Sequence, residues 1–419
     1  MRGLAQLATT FAVLGIACFH AEIAEAGKPA EAKYRYHYVS LDQAELPDGF
    51  TSFTGGKVVD SGKVYGTVDD LDGCSPAVAV WQDGRVRVLV DGGEANTAND
   101  LGTAGGLVWR DCANFLARAA LFRRSGIKLL PPLPNDLFSF VFQLTNSGIA
   151  FLSSSSDTDS SFFLYWRGRV LSPNFGPGSV RFTPRVNNFG VIGGTYVQPN
   201  SSPFNADTRA FRLGPFGVKT LLDPRPTEPI SWGESINNRG DVLGYSFIPN
   251  GREAIGVWRN RPGNPFQTYF VEGTPEFPTV SNDLLWNEPG LIVITGAYFS
   301  SNDPDSYIVP RPGVRLNLAD ITDNLPVGRV TLITDLNDRG DLLGFNFDPN
   351  SNDPAEDFLL QRVGDGRVAM PTLNVATTQR RPPSRAVSWR ISHPELLAPR
   401  THGKTASMTP LTRRTEAPR

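Results

Sequence analysis

The sequence predicts an all-β fold, a β-propeller of seven four-stranded blades followed by a disordered C-terminal tail. Three observations lead to this prediction. The sequence contains a degenerate repeat of 40 to 50 residues, each repeat has turn-forming residues between apolar segments, and the body of the chain shows no convincing helical period of 3.6 residues in its apolar positions. Gly 41 and Pro 34 make up about 18% of 419 residues, which suits a fold with many turns. With 40% hydrophobic and 20% charged residues, the composition excludes a disordered or multi-span membrane chain.

Residues 1–26 predict a secretory signal peptide. Met1-Arg2 precedes an uncharged apolar stretch over residues 4–19, and Ala24-Glu25-Ala26 supplies an A-x-A cleavage site. A membrane anchor is the first alternative, although the apolar stretch is short for a span. A lipoprotein, through Ile16-Ala17-Cys18, is the second. We expect a secreted, periplasmic or cell-envelope protein cut near Ala26, with no membrane span.

Cleavage of the signal leaves two cysteines, Cys74 and Cys112. An even pair in an oxidising compartment predicts one disulfide bond. The two residues lie in corresponding loops of adjacent units, so a bond between them would link the first two blades. A pair of buried free thiols is the alternative.

The propeller domain is predicted over residues 34–374. Its clearest repeat, Ile236 to Gly244, contains an apolar residue, a turn with glycine, and a second apolar residue. All fourteen residues four before and two after the repeat glycines are apolar, so each unit begins with a strand, a tight turn and a second strand. The predicted repeat glycines, spaced by 43, 43, 42, 50, 50 and 50 residues, are Gly62, Gly105, Gly148, Gly190, Gly240, Gly290 and Gly340.

Each unit continues with two more strands. An apolar stretch ends near Trp81 in the first unit, and Asp83-Gly84 then makes a turn into a fourth strand. Four short strands in 40 to 50 residues is the period of propeller blades. The alternating residues 34–41 would add a strand to the seventh blade, whose own last strand is expected near 367–373.

The units resemble the repeats of the HAF-type extracellular repeat family, which read I-N-x-x-G-x-V-V-G, then H-A-F-L-W and a D-G turn. The matching segments are Ile236-Asn237-Asn238-Arg239-Gly240-Asp241-Val242-Leu243-Gly244, Arg209-Ala210-Phe211 and Val80-Trp81-Gln82-Asp83-Gly84. The histidine of the family's H-A-F triplet is absent from every unit. The resemblance implies an exported β-repeat fold and leaves activity open.

Histidine chemistry is excluded from the ring. After signal cleavage only His37, His393 and His402 remain, and none lies between residues 38 and 392. A Ser-His-Asp or Cys-His arrangement and a His-rich metal site are therefore ruled out there. The sequence also lacks G-x-S-x-G, H-E-x-x-H and P-loop motifs.

Carboxylates near the central channel are the remaining enzymatic candidates. Five residues before each predicted repeat glycine, on the strand expected to be innermost, the sequence is polar in six of seven units. Asp100 and Asp335, with Glu234 nearby in register, would form the acid pair of a glycosidase. A hydrated channel with neutralised charges is the alternative. The candidate channel residues are Asp100, Gln143, Arg185, Glu234 and Asp335.

Calcium is the one candidate cofactor. Asp348, Asn350 and Asn352 alternate like the first oxygen ligands of a calcium loop. The sixth and twelfth positions hold Asp353 and Leu359 instead of the glycine and glutamate of an EF-hand. Solvated turns without a cofactor are the alternative.

The charge distribution separates the last 45 residues from the rest. Residues 375–419 contain nine Lys/Arg and two Asp/Glu, a net charge of +7, against −9 for the preceding chain. Six prolines and few large apolar residues predict disorder there. The basic tail would attach to anionic lipid or cell-wall polymer, or be passive. The acidic body makes nucleic acid an unsuitable partner.

The sequence therefore predicts an exported β-propeller that acts as a binding or scaffold module without a catalytic constellation. Its partner would be an extracellular or envelope ligand, a glycan or a protein. A carbohydrate-active hydrolase that uses the channel carboxylates is the alternative.

Overall fold

The structure is a computed structural model. It describes residues 34–69, 76–111, 116–133, 137–155, 160–177, 179–199, 208–226, 228–247, 253–272, 281–296, 306–348 and 355–363. Several predictions concern residues outside these ranges and stay predictions: the signal peptide, the Cys74–Cys112 disulfide, the calcium candidates Asn350 and Asn352, the strand near 367–373, and the 375–419 tail.

The described residues form antiparallel units of four consecutive strands. Each strand pairs with the next one along the chain, so every unit is a meander. A first strand, β1 (Arg35–Ser40), precedes them. Unit 1 contains β2 (Ser52–Val58), β3 (Val64–Asp69), β4 (Ala77–Gln82) and β5 (Arg85–Asp91); unit 2 contains β6 (Glu94–Ala98), β7 (Ala104–Asp111), β8 (Leu116–Arg123) and β9 (Gly126–Leu129); unit 3 contains β10 (Phe138–Leu144), β11 (Ala150–Ser155), β12 (Ser160–Trp166) and β13 (Arg169–Leu171).

The later units follow the same plan with longer spacing. Unit 4 contains β14 (Ser179–Val186), β15 (Ile192–Val197), β16 (Thr208–Leu213) and β17 (Lys219–Leu222); unit 5 contains β18 (Ile230–Ile236), β19 (Val242–Phe247), β20 (Glu253–Trp258) and β21 (Phe266–Glu272); unit 6 contains β22 (Ser281–Trp286), β23 (Ile292–Gly296), β24 (Tyr307–Arg311) and β25 (Val314–Asn317). A one-turn helix, α1 (Leu318–Ile321), and the short β26 (Thr322–Asp323) come next; unit 7 then contains β27 (Val330–Leu336), β28 (Leu342–Phe347) and β29 (Glu356–Val363).

The N-terminal strand completes unit 7. Strand β1 pairs antiparallel with β29, from Arg35 opposite Val363 to Ser40 opposite Phe358, and parallel with β26 on its other edge. Its position is therefore the fourth in the order β27-β28-β29-β1. This is the strand that the alternation of residues 34–41 predicts for the last unit. The pairing ties the two ends of the described chain into one sheet.

The apolar core lies between units. Among the described residues, seven clusters of buried side chains each join two neighbouring units. One of them joins unit 7 to unit 1 through Leu343 and Leu359, which pack with Val58 and Trp81. Every sheet thus buries both faces against its neighbours, which is why apolar residues occur on both faces of the strands. Sheets that cannot bury their faces alone are stable only as a complete set.

The turn after the first strand of each unit needs a glycine. Gly148 has φ +80°, and its amide donates to the Thr145 carbonyl at 3.0 Å, closing a turn that an L side chain adopts only with strain. The equivalent positive-φ glycines are Gly62, Gly102, Gly148, Gly190, Gly240, Gly290 and Gly340.

The predicted register of unit 2 is wrong. Its turn glycine is Gly102, which has φ +80° and donates its amide hydrogen to the Asn99 carbonyl, whereas Gly105 lies inside β7. Leu101, the apolar strand residue of the predicted register, is 76% exposed in the turn. Ala98 and Ala104 occupy the buried positions on either side.

Most first strands contain a β-bulge near the same place. In six of the described units the pairing of the first strand with the second strand shifts. Each shift ends at the residue five positions before the turn glycine, as between Gly55 and Lys57 or between Ile333 and Asp335. A bulge inserts one extra residue and re-aims the side chains that follow it. It therefore helps to direct these inner residues toward the neighbouring unit.

Candidate functional site

The first strands of the units surround a central cavity of about 280 Å³. Residues from the end of each first strand and the turn that follows line it, so it is the channel of the ring. With the corrected register, one lining residue per unit lies five positions before the turn glycine. These residues are Lys57, Thr97, Gln143, Arg185, Ser235, Leu285 and Asp335.

Several of these inner side chains link neighbouring units. The Lys57 Nζ lies 2.7 Å from a carboxylate oxygen of Asp335, and the Val58 amide donates to the other oxygen at 2.8 Å. Gln143 bonds both backbone groups of Val186, donating to the carbonyl at 2.9 Å and accepting from the amide at 2.8 Å. These polar groups therefore hold the ring together.

A second set of links surrounds the turn end of the channel. The residue two before each turn glycine accepts a hydrogen bond from the backbone of the previous unit's turn; for example, the Asn188 amide donates to Asn238 at 2.9 Å. The chain of bonds runs through every unit and returns to the first. In donor-to-acceptor order it joins the turns at Asp60 to Asp100, Asp100 to Asn146, Ser147 to Asn188, Asn188 to Asn238, Asn238 to Glu288, Glu288 to Asp338 and Asp338 to Asp60.

A parallel set of amides reinforces this circle. The side-chain amide of Asn187 donates to the Asn237 carbonyl at 2.9 Å, and that of Asn337 to the Val59 carbonyl at 2.9 Å. The sequence predicts the paired Asn/Asp residues before each glycine only as turn formers. Their recurrence as a doublet is the signal that could have revealed the links.

The ring of turns is acidic on one side. Units 1, 2, 6 and 7 carry Asp60, Asp100, Glu288 and Asp338, respectively, while units 3 to 5 carry asparagines at the same position. Burial, together with the negative charges of Asp100 and Asp338, raises the pKa of Asp60 to about 6. Burial also raises the pKa values of Asp338 and Glu288.

The predicted acid set is not assembled as proposed. Asp100 lies two residues before Gly102 in the turn, not five before a repeat glycine on the inner strand, so it is equivalent to Asp60 and not to Asp335. Its carboxylate accepts from the Asp60 amide at 2.8 Å and from the side-chain amide of Asn146. Glu234 lies at the bulge of β18 and is not one of the described residues that line the cavity. Asp100, Gln143, Arg185 and Asp335 do line it.

Two other predictions concern metal and membrane. Asp348 follows the end of β28, and its predicted fellow ligands lie outside the described ranges. The described residues hold no group of three or more His, Cys, Asp or Glu side chains that could bind a metal ion. In the same part of the chain, no helix has the length and apolar character needed to cross a membrane.

No protein-family model matches the sequence, and no curated protein matches it. Among solved structures, the β-propeller domain of the trilobed protease from Pyrococcus furiosus is 8% identical over 80% of this chain and 99% of that one, with a TM-score of 0.49. Virginiamycin B lyase from Staphylococcus aureus is 11% identical over 78% of this chain and 99% of that one, with a TM-score of 0.45. TolB from Acinetobacter baumannii is 10% identical over 74% and 79%, with a TM-score of 0.37.

The meandering four-stranded units, their mutual cores and their central channel define an all-β protein of the β-propeller class.

Proposed function

We propose that this chain is an exported seven-bladed β-propeller that works as a binding or scaffold module, with its central channel as the ligand site. The seven four-stranded units, each joined to the next and the last to the first, support the blade count. The observation that carries the non-catalytic assignment is the use of inner polar side chains as links between blades. The resemblance to HAF-type repeats remains part of this proposal.

The hydrolase alternative is less well supported, because both carboxylates of its acid pair already have partners that link neighbouring units. Retaining and inverting glycosidases need two acidic groups roughly 5 to 10 Å apart across the bond that is cut. Asp335 is held by the Lys57 ammonium and the Val58 amide, and Asp100 is held in the ring of turns. Both carboxylates therefore already serve the links between neighbouring units.

On the inner strands, away from the acidic turn end, the charge of the channel favours an anionic ligand group. Lys57 and Asp335 neutralise each other, and the other equivalent positions apart from Arg185 are uncharged. Arg185 therefore leaves the inner ring with one excess positive charge. Its planar guanidinium suits a carboxylate, such as that of a uronic acid at the end of a glycan. Because the turn end is acidic, the ligand would enter from the opposite end.

Binding and cleavage of glycans test the proposal together. The chain is screened on an array of neutral and uronic-acid oligosaccharides, and hits are measured by calorimetry and by mass spectrometry of the incubated glycan. We expect binding without cleavage, at least a tenfold loss of affinity in Arg185→Gln, and no loss in the exposed control Arg87→Gln. Cleavage that disappears in Asp335→Asn or Asp100→Asn would establish the hydrolase instead.

A further inference from the structure

Three apolar side chains protrude from adjacent turns of unit 4. Phe189 is 66% exposed, Phe216 75% and Val218 69%. Phe189 is in the turn between β14 and β15, and the other two are in the turn between β16 and β17. The turns are neighbours, because a Cβ added at Gly190 would lie 4.0 Å from the Cβ of Pro215. Single exposed apolar residues are ordinary, but a group on one surface indicates a contact site.

These turns share one end of the ring. In a four-stranded meander the first and third connections lie at the same end of the sheet. The hydrogen bonds between the first turns show that all units have the same orientation, with their first turns at one end of the ring. We call this end the turn face. The loop that carries Val327 connects β26 to β27 and lies at the opposite end.

Arginines adjoin the apolar group on the unit 5 side. Arg212 of β16 donates to the Gly240 carbonyl at 3.0 Å, which holds the unit 4 hairpin beside the turn that carries Arg239. The Asn260 side chain donates to the Arg239 carbonyl at 2.7 Å, so the turn that contains Asn260 and Arg261 lies beside the turn that contains Arg239. The Arg239 side chain is 57% exposed although its Nε lies 3.3 Å from an Asp241 carboxylate oxygen, and Arg261 is exposed as well.

The charge of the turn face also varies around the ring. Units 3 to 5 have asparagines in the ring of turns, and units 6, 7, 1 and 2 have carboxylates. On unit 3 the exposed Arg167 and Arg169 flank the next outer turn. The apolar group therefore lies on the part of the face that is basic, and the acidic part lies across the channel.

We propose that the turn face of units 3 to 5 docks on an anionic lipid bilayer. Phe189, Phe216 and Val218 would enter the interface between headgroups and acyl chains, where aromatic side chains are favoured. Arg239 and Arg261 would contact lipid phosphates, which attract basic residues near the surface. The apolar groups stand on protruding turns and line no groove, so a deformable surface suits them better than a rigid protein partner. This docking goes beyond the channel function and uses a separate surface.

Sedimentation with vesicles tests the docking. The full chain is mixed with vesicles of phosphatidylcholine alone or of phosphatidylcholine and phosphatidylglycerol at 3:1, in low and high salt. We expect binding to the anionic vesicles that weakens with salt. Combining Phe189→Ser with Phe216→Ser should reduce the affinity at least tenfold, and Arg239→Gln with Arg261→Gln at least fivefold. Val327→Ser, which removes a fully exposed apolar side chain at the other end, and Arg87→Gln serve as matched controls.

Two results would overturn the proposal. One is a wild-type chain that does not sediment with anionic vesicles. The other is binding that survives both double variants, which would assign the affinity to the basic segment 375–419. Circular dichroism checks that the variants are folded. As an independent readout, Phe189→Trp should show a blue-shifted difference emission spectrum against the wild type with anionic vesicles only.

Discussion

The carboxylate of Asp60, in the first unit, accepts a hydrogen bond of 2.8 Å from the backbone amide of Asp338, in the last. The Arg339 guanidinium also donates to the Asp60 carbonyl at 3.2 Å, so this turn helps to close the ring. Asp60 nevertheless has acidic neighbours on both sides, Asp100 and Asp338. Closure of the ring thus places a charge where burial and two like charges disfavour it.

Replacement of Asp60 by Asn should stabilise the protein at neutral pH. The Asn oxygen can still accept from the Asp338 amide, and its NH₂ can donate to Asp100, as Asn146 does now. The pKa of Asp60 is about 6, above its ordinary value of 3.8, so its stabilisation is full below 3.8 and is lost as the pH rises through 6. We expect a gain of about 1 kcal/mol in the free energy of unfolding at pH 7.5, after allowance for solvent screening.

Urea denaturation at pH 7.5 and pH 5.0 measures this effect. The wild type should gain stability on acidification through this site, and Asp60→Asn should gain less. The exposed Asp91→Asn is the control, since it removes the same charge from a solvated position. An equal loss of stability in Asp60→Asn at both pH values would show that the carboxylate is required by the closure.

The Lys57–Asp335 pair should contribute more than the Arg85–Glu45 pair. Its side chains are 29% and 14% exposed, against 65% and 69% for the second pair. Exposed ion pairs are screened by solvent and contribute little, while partly buried ones with added hydrogen bonds contribute more. A double-mutant cycle with Lys57→Met and Asp335→Asn should give a coupling energy of about 1 to 2 kcal/mol.

The same cycle on the exposed pair, with Arg85→Met and Glu45→Gln, should give less than about 0.5 kcal/mol. Thermal or urea unfolding of each set of variants provides the values. Equal coupling energies in the two cycles would mean that Asp335 does not depend on Lys57 and that the pair is incidental to ring closure.

The strand order and the role of the N-terminal strand could be predicted because they depend on local patterns. Alternation at residues 34–41 and the turn glycines of units 1 and 3 to 7 mark positions that the structure also uses. Unit 2 is ambiguous in sequence because two registers both place apolar residues around a glycine. The larger Leu101 and Leu107 favour the wrong register, whereas packing between close neighbours uses Ala98 and Ala104.

The channel side chains could be located only in part for a different reason. Strand order and register predict that Asp335, Gln143 and Arg185 lie on the inner strands. Their partners do not, because the Val58 amide and the Val186 backbone belong to neighbouring units and come within reach only in the assembled ring. A polar residue on an inner strand looks the same in sequence whether it binds a ligand or links two sheets.

The turn glycines have a conformational role that is separate from packing. Gly148 has φ +80°, and a Cβ added to it would have no atom within 4 Å, so Gly148→Ala meets backbone strain and no steric contact. We expect a loss of about 1 kcal/mol in the free energy of unfolding. Gly148→Asn should lose less, because Asn tolerates the left-handed region better.

Gly214→Ala is the matched control. Gly214 is also in a turn, but its φ is not positive, and an added Cβ would lie 3.6 Å from the Val218 carbonyl oxygen, an ordinary contact. This variant should be neutral or slightly more stable, because alanine restricts the unfolded chain. Equal losses at the two positions, measured by urea unfolding, would contradict a role for the positive φ.

Asp241 anchors the first turn of unit 5 to its third strand. It is 5% exposed and accepts from the Asn260 amide at 2.7 Å, the Arg259 guanidinium at 3.2 Å and the Asn237 side chain at 3.2 Å. Burial opposes its charge, but these hydrogen bonds and that from Arg239 outweigh the burial and lower its pKa. The carboxylate is thus used as an ion in the folded state.

Replacement of Asp241 by Asn should therefore destabilise the protein, by about 2 to 4 kcal/mol at pH 7, because Arg259 and Arg239 lose their partner. A lowered pKa means that this stabilisation is present above the ordinary Asp value and is lost as the pH falls through the lowered one. The deficit of Asp241→Asn should accordingly be smaller in unfolding experiments at a pH below the ordinary Asp value of 3.8 than at pH 7. The exposed Asp48→Asn should show almost no deficit at either pH. A deficit in Asp241→Asn that stays constant down to the lowest pH would show that hydrogen-bond geometry, and not the charge, holds this turn.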